Sequence, residues 1–279
     1  MISPDQISVN RIIEHALEED IGSGDLTSEA VLGEEEWLQL VMVPREEIVV
    51  VGLDIASQVF CCLAPETKIQ CQVKDGDKMT PGTLLMTLDG PARGLLTAER
   101  TALNLVQMLS GIATETRRYV DAINGTGVVL LDTRKTIPGL RALSKYAVAM
   151  GGATNHRMRL DDGVLIKDNH VAVAGSVAKA VSLAQQAGLR DIEVECDTLE
   201  QVVEALDAGA DRILLDNMNN EMLRKAVKST AGRAPLEASG GVNLKTVRAI
   251  AETGVDFISV GSITQSASAV DIGLDPISR

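Results

Sequence analysis

Arg134 and Lys135 stand in "DTRKT", directly after the apolar run "GVVLL", and His156, Arg157 and Lys167 stand in "NHRMRLDDGVLIKDNH", residues 155–170. From Asp132 to His170 the chain places Arg134, Lys135, Arg141, Lys145, Arg157, Arg159 and Lys167 against four Asp, a net of +3 in a protein of formal charge -13. Arginine binds carboxylate or phosphate through two parallel hydrogen bonds, and lysine supplies a compact charge. A cationic segment in an acidic chain suits a small, multiply charged anion. The summed field repels polyanions, so neither nucleic acid nor an anionic membrane is expected as a partner.

Other strand-like runs end in groups that complete such a site. Glu195 stands in "VEC" and Asp216 ends "LLD". Carboxylates facing a phosphate site hold a divalent cation or sugar hydroxyls, since otherwise they would repel the ligand. Ser239-Gly240-Gly241 and Val260-Gly261-Ser262 offer backbone N–H groups, expected at the start of following helices, as a cradle for a monophosphate. Thr133 shares its strand end with Arg134 and Lys135. His156 reads as a general acid, a ligand-orienting donor or a structural residue; His170 reads as an organiser of the strand end. Lys167 has a rival role as a Schiff-base amine, its pKa depressed by neighbouring arginines, although the arginines outnumber what one such site needs.

The elements that must position these residues follow from pattern. Ser3, Pro4 and Gln6 read as the start of a helix carrying Val9, Ile12, Ile13, Ala16 and Leu17, ended by "IGSGD" at 21–25. Short β-like runs fill 38–88, and a helical period returns over 97–123, with a break expected at Ser110-Gly111. Beyond Gly125, strand ends recur at Asp132, Lys167, Glu195, Asp216, Ser239 and Gly261, with an extra helical segment at 139–150 in the first interval. That rhythm predicts parallel βα units, and about six of them suggest an incomplete barrel whose strand C-termini open on one face. No glycine-rich dinucleotide fingerprint follows a strand. No run of 18 apolar residues occurs and "MISPDQ" is not a secretory leader, so a cytoplasmic protein is expected. Cys61, Cys62, Cys71 and Cys196 show no metal-ligand spacing and are expected to be reduced, packed thiols.

Read together, "TRKTIPGLRALSKYAVAMGG", "NHRMRLDDGVLIKDNH", "LLDNM", "LEASGG" and "ISVGS", with "EDIGSGDLTSE" and "LLTAERTALNLVQMLSGIAT" upstream, closely resemble the quinolinate phosphoribosyltransferase family. One departure is Ala153 in "GGATNHR", where the family usually has glycine. The resemblance implies an N-terminal α/β sandwich domain (1–110), an irregular parallel α/β barrel (111–265) and a C-terminal segment (266–279) packing back towards the first domain. It implies transfer of phosphoribosyl from 5-phosphoribosyl-1-diphosphate to quinolinate, with loss of diphosphate and CO2, giving nicotinate mononucleotide for NAD biosynthesis. Arg100, Arg134, Lys135, His156, Arg157 and Lys167 would surround the quinolinate carboxylates and the diphosphate. Glu195 and Asp216 would contact ribose and Mg2+, and Ser239–Gly241 with Val260–Ser262 would hold the 5-phosphate. The family works as a homodimer or an assembly of dimers, with Arg100 donated across the interface.

Overall fold

A computed structural model describes residues 4–277. The chain divides into two compact units: residues up to Arg117 with Thr136–Gly152 and those from Ile263 onward, and Arg118–Lys135 with Ala153–Ser262.

The first unit opens with α1 (Gln6–Ile21) and α2 (Leu26–Val31), then β1 (Trp37–Pro44), β2 (Ile48–Val49), α3 (Leu53–Leu63), β3 (Lys68–Cys71), β4 (Lys78–Met79), β5 (Met86–Pro91) and α4 (Ala92–Ala122). The helix start differs from expectation. Asp5, not Ser3, is the N-cap, its carboxylate accepting from the Ser8 N–H at 3.0 Å, so Pro4 precedes the cap; Ser3 lies outside the described residues. Asp25 caps the short α2 by accepting from the N–H groups of Thr27 and Ser28, a start signal not read from the sequence.

The expected break at Ser110-Gly111 does not occur, because both residues serve packing within a continuous α4. The Ser110 hydroxyl accepts from Val51 N–H at 2.9 Å, and one turn later Thr114 accepts from Val49 N–H at 2.8 Å. A Cβ on Gly111 would lie 2.1 Å from the Ser268 carbonyl oxygen, so only glycine lets the chain near Ser268 approach the helix. Leu103, Val106 and Leu109 on the same helix are buried, each stabilising the unit by roughly 1.5–3 kcal/mol.

The rest of the chain runs β6 (Val129–Leu131), α5 (Arg141–Gly151), β7 (Val164–Ile166), α6 (Asp168–Ala174), α7 (Val177–Gln186), β8 (Ile192–Cys196), α8 (Leu199–Asp207), β9 (Arg212–Asp216), α9 (Asn220–Thr230), β10 (Leu236–Ser239), α10 (Val247–Ala251), β11 (Phe257–Ser259), α11 (Ser262–Gln265) and β12 (Ile272–Pro276). β12 pairs antiparallel with β1 in a sheet of order β12-β1-β5-β3. In the second unit the strands form a parallel ladder of order β6-β11-β10-β9-β8-β7, with β6 and β7 at its ends. The α/β class with an irregular parallel strand set is therefore as expected.

Period-two alternation gives β8, β9 and β10 one apolar face and one that carries polar side chains. Ile192, Val194 and Cys196, and likewise Ile213 and Leu215, are buried hydrophobics. The intervening positions carry Glu193 and Glu195 on β8, Arg212 and Asp216 on β9, and Glu237 and Ser239 on β10.

The cysteines are free, but only Cys196 is packed. Cys61, Cys62 and Cys71 are exposed, because 61 and 62 end an amphipathic helix and 71 sits on an edge strand. Burial, then the nearby Asp197, pushes the Cys196 thiol up to about 12, so it is inert. Among the described residues no helix is long and apolar enough to cross a membrane.

Candidate functional site

Strand ends of the second unit bring one set of the expected residues together. Lys167, directly after β7, places Nζ 2.6 Å from Glu195 Oε2 on β8. Asp216, at the end of β9, has its pKa raised by burial first, then by the charges of Glu195 and Asp197, with Lys167 and Lys135 opposing. Two carboxylates and two lysines therefore share one electrostatic environment. Lys135 also reaches Gly261, where a Cβ would sit 2.9 Å from Lys135 Cδ and 3.6 Å from Thr133 Oγ1. The Thr133 hydroxyl accepts the Lys135 N–H at 2.9 Å.

Lys167, a cation of the 132–170 segment, is ion-paired with one of the two carboxylates expected opposite it. The cause is register: β7 and β8 are adjacent, with Ile166 opposite Val194, so the next positions lie side by side. The 2.6 Å contact commits Lys167 Nζ to a mostly buried carboxylate, whereas Schiff-base chemistry needs the amine presented to a substrate carbonyl. Its ion-pair partner is a carboxylate rather than an arginine neighbour. His170 Nδ1 accepts the Lys167 N–H at 2.9 Å and so organises this strand end.

The glycine segments differ from expectation in detail. Gly240 has φ +92°, and a Cβ there would lie 2.2 Å from Asn217 Oδ1 and 2.9 Å from Asn217 N. Asn217, itself at φ 54°, donates its N–H to Ser239 O at 2.9 Å and its side-chain amide to Asp216. The ends of β9 and β10 are thus keyed together. Ser239–Gly241 does not start a helix, because a turn intervenes before α10 at Val247. Ser262 does open α11, but the Val260 N–H is already bonded to Leu131 O at 3.0 Å and is not available to a ligand.

A second set gathers within the same unit, on a cavity of about 440 Å³ that reaches the starts of β8 and β9 at Asp191 and Asp211. Arg157 lies here, its Nη1 donating to Gly163 O at 2.9 Å. Burial, then the neighbouring Arg134, lowers the Arg157 pKa, with Glu193 opposing. Two arginines close enough to repel each other are a pairing that a carboxylate or phosphate would relieve. His156 places Nε2 3.1 Å from Glu193 Oε2 and 3.6 Å from Glu237 Oε2. The two sets meet along β8, where Glu193 and Glu195 are two residues apart on one face, about 7 Å by strand rise.

The seven cations of the 132–170 segment are divided between the two units. Arg141 and Lys145 lie on α5 in the first unit, where Lys145 is fully buried and Arg141 donates to Thr136 Oγ1. Arg159 is exposed. Arg100 is exposed on α4 in the first unit. Ala153 is absent from the positive-φ residues, so glycine is not required there.

The sequence reading missed Glu193, Glu237 and the role of Asp132. The signal was available: Glu193 and Glu237 precede Glu195 and Ser239 by two, which puts each pair on one strand face. Asp132 is fully buried and accepts from Asn155 Nδ2 at 2.7 Å and His156 N–H at 2.8 Å. It fastens the loop that carries the second set.

Comparison with known proteins matches both parts of the chain. A family model described as quinolinate phosphoribosyl transferase, N-terminal domain, matches residues 25–110, and its C-terminal counterpart matches residues 112–275. The nicotinate-nucleotide pyrophosphorylase [carboxylating] of Mycobacterium leprae is 46% identical over 272 residues, covering 94% of this chain and 95% of that protein. A probable nicotinate-nucleotide pyrophosphorylase [carboxylating] of Bacillus subtilis is 42% identical over 271 residues, covering 96% and 93%. The solved nicotinate-nucleotide pyrophosphorylase of Francisella tularensis superposes with a TM-score of 0.94 at 41% identity, covering 98% of this chain and 97% of that one.

Proposed function

Because this chain belongs to the quinolinate phosphoribosyltransferase family, we propose that it transfers the phosphoribosyl group of 5-phosphoribosyl-1-diphosphate to the ring nitrogen of quinolinate, releasing diphosphate and CO2. The product is nicotinate mononucleotide, a precursor in NAD biosynthesis. The observation that carries this reading is identity of 42 to 46% to named relatives across nearly the whole chain. The grouped Lys135, Lys167, Glu195 and Asp216 give it chemical support.

The bond between ribose C1 and the diphosphate oxygen breaks as the pyridine nitrogen bonds to C1, so positive charge develops on the sugar. Lys135 and Lys167 stabilise the departing diphosphate, and Glu195 and Asp216 face the developing sugar cation and its hydroxyls. Arg134 and Arg157 hold the two quinolinate carboxylates, on a loop that His156 orders, so positioning rather than a protein nucleophile supplies much of the acceleration. Once the nitrogen is quaternary, the adjacent carboxylate leaves as CO2 and its bonding electrons remain on the ring carbon, which then takes a proton. Ser239, Gly240 and Gly241, with Gly261 and Ser262, cradle the 5-phosphate.

Glu195 and Asp216 fit Mg2+, since they are hard oxygen donors, and the burial and then the Glu195 charge that raise the Asp216 pKa are both relieved by a cation beside them. Bound there, Mg2+ would neutralise phosphate charge on the second substrate. The enzyme acts in the cytoplasm as a homodimer or an assembly of dimers, with Arg100 of one subunit completing the other's site. Mixing Arg100→Ala with Lys167→Ala, each inactive alone, is expected to restore activity through mixed dimers; no restoration would refute the shared site.

Substrate identity is tested by initial rates with 5-phosphoribosyl-1-diphosphate and Mg2+, using either quinolinate or nicotinate as acceptor. Quinolinate is expected to give nicotinate mononucleotide with diphosphate release. A preference for nicotinate, or no product from either, would overturn the assignment.

A further inference from the structure

His156, Glu193 and Glu237 form a buried cluster that the reaction as written leaves unexplained. The His156 ring is constrained on both sides. Its Nδ1 accepts the backbone N–H of Arg157 at 2.7 Å, so the neutral ring must carry its proton on Nε2. That Nε2 is 3.1 Å from Glu193 Oε2 and 3.6 Å from Glu237 Oε2. The side chains of Glu193 and Glu237 are 7% and 0% exposed. Glu193 Oε1 and both Glu237 oxygens lack a hydrogen bond.

One histidine nitrogen and two carboxylates within 4.8 Å of one another would also suit a metal ion. The hydrogen bonding argues against it. A metal on Nε2 requires the ring proton on Nδ1, where it would point at the Arg157 N–H. Arg212 adds a fixed cation beside the cluster, 3.7 Å from Glu237 and stacked 4.2 Å from the Phe257 ring centroid. Two buried carboxyl groups this close instead share a proton. Glu237 carries it: burial, then Glu193, raises its pKa, against the charges of His156 and Arg212.

We propose that Glu193 and Glu237 are positioning residues for the phosphoribosyl transfer, holding His156 as an Nε2–H donor and thereby fixing the 155–157 loop that presents Arg157 to the pyridine dicarboxylate. Glu193 is the acceptor, and Glu237 backs it from the core. Asp132 fastens the same loop from its main chain. The inference rests on the quinolinate reading for its substrate and on geometry for the rest.

The test has two independent arms. Only three histidines occur in the chain, His15, His156 and His170, so the ¹⁵N imidazole resonances of the wild-type protein can be assigned by substitution. His156 is expected as the Nε2–H tautomer; an Nδ1–H tautomer overturns the inference whether or not the protein turns over quinolinate. In the kinetic arm, Glu193→Leu is expected to raise the quinolinate KM roughly 10- to 100-fold, the scale of a small misplacement of a binding group. The KM for 5-phosphoribosyl-1-diphosphate should move far less. Glu193→Gln keeps an acceptor for His156 and should recover most of the loss, whereas a proton-transferring Glu193 would be disabled equally by both changes. A folded Glu193→Leu with unchanged quinolinate KM, or Gln as damaging as Leu, refutes the proposal. Absence of any nicotinate mononucleotide from the wild type would instead refute the substrate assignment and leave the tautomer result standing.

Discussion

Replacing Gly240 with alanine probes how the ends of β9 and β10 are keyed together. Two costs add. At φ +92° an L-residue is strained, by about 1–2 kcal/mol. The new methyl would also lie 2.2 Å from Asn217 Oδ1 and 2.9 Å from the Asn217 backbone nitrogen, and backbone cannot rotate away. Overpacking of this kind costs roughly 1–3 kcal/mol, so the total is about 2–5 kcal/mol. Gly232 supplies the control: its φ is +76° and nothing lies within 4 Å of its virtual Cβ, so Gly232→Ala bears only the conformational cost. Urea titration of the two variants, compared at equal slope, should place Gly240→Ala lower by about 1–3 kcal/mol. Relief of the overlap must push Asn217, and Asp216 with it, so the KM for 5-phosphoribosyl-1-diphosphate should rise. Equal stability of the two variants, or wild-type kinetics in Gly240→Ala, would refute the reasoning.

Further predictions follow from the same geometry. Gly261→Ala would set a methyl 2.9 Å from Lys135 Cδ and should lower kcat/KM by displacing that lysine, with little loss of stability because the side chain can swing away; a wild-type kcat/KM contradicts this. Lys167→Met should cost roughly 1–3 kcal/mol of stability, since it leaves the 12% exposed Glu195 side chain unpaired, yet abolish most activity; an active variant would remove Lys167 from the site. Borohydride should trap no substrate adduct on Lys167 in the wild type. Glu237 should give an inverted pH dependence. Its carboxyl is raised to about 7, so between the ordinary carboxylate range and that value the folded state binds more protons than the unfolded one. Its contribution to stability therefore falls as pH rises through this window. Glu237→Gln should gain on the wild type from about pH 5 to pH 8 in thermal unfolding scans, and a pH-independent difference would contradict the shift.

The strand rhythm and the charged strand ends were legible because parallel βα units repeat at a regular period and end in the groups they present. Lys167, Glu195 and Asp216 could be named from sequence for that reason. What misled were local signals overridden by long-range packing. Ser110-Gly111 reads as a helix break, but Ser110 completes the hydrogen bonding of Val51 and Gly111 accommodates the chain at Ser268. The cation count from Asp132 to His170 spans both units, since α5 places Arg141 and Lys145 in the first. Lys167 reads as part of a cationic wall until the β7–β8 register sets it beside Glu195. Glu193 and Glu237 look like ordinary acidic residues in short strands, and only the alternation of strand faces shows that they point inward together.

Quinolinate labelled with ¹³C in the carboxylate next to the ring nitrogen, supplied with 5-phosphoribosyl-1-diphosphate and Mg2+, gives the most direct measurement. The account predicts one labelled CO2 and one diphosphate for each nicotinate mononucleotide formed. Retention of the label in the product, or diphosphate release without CO2, would contradict it.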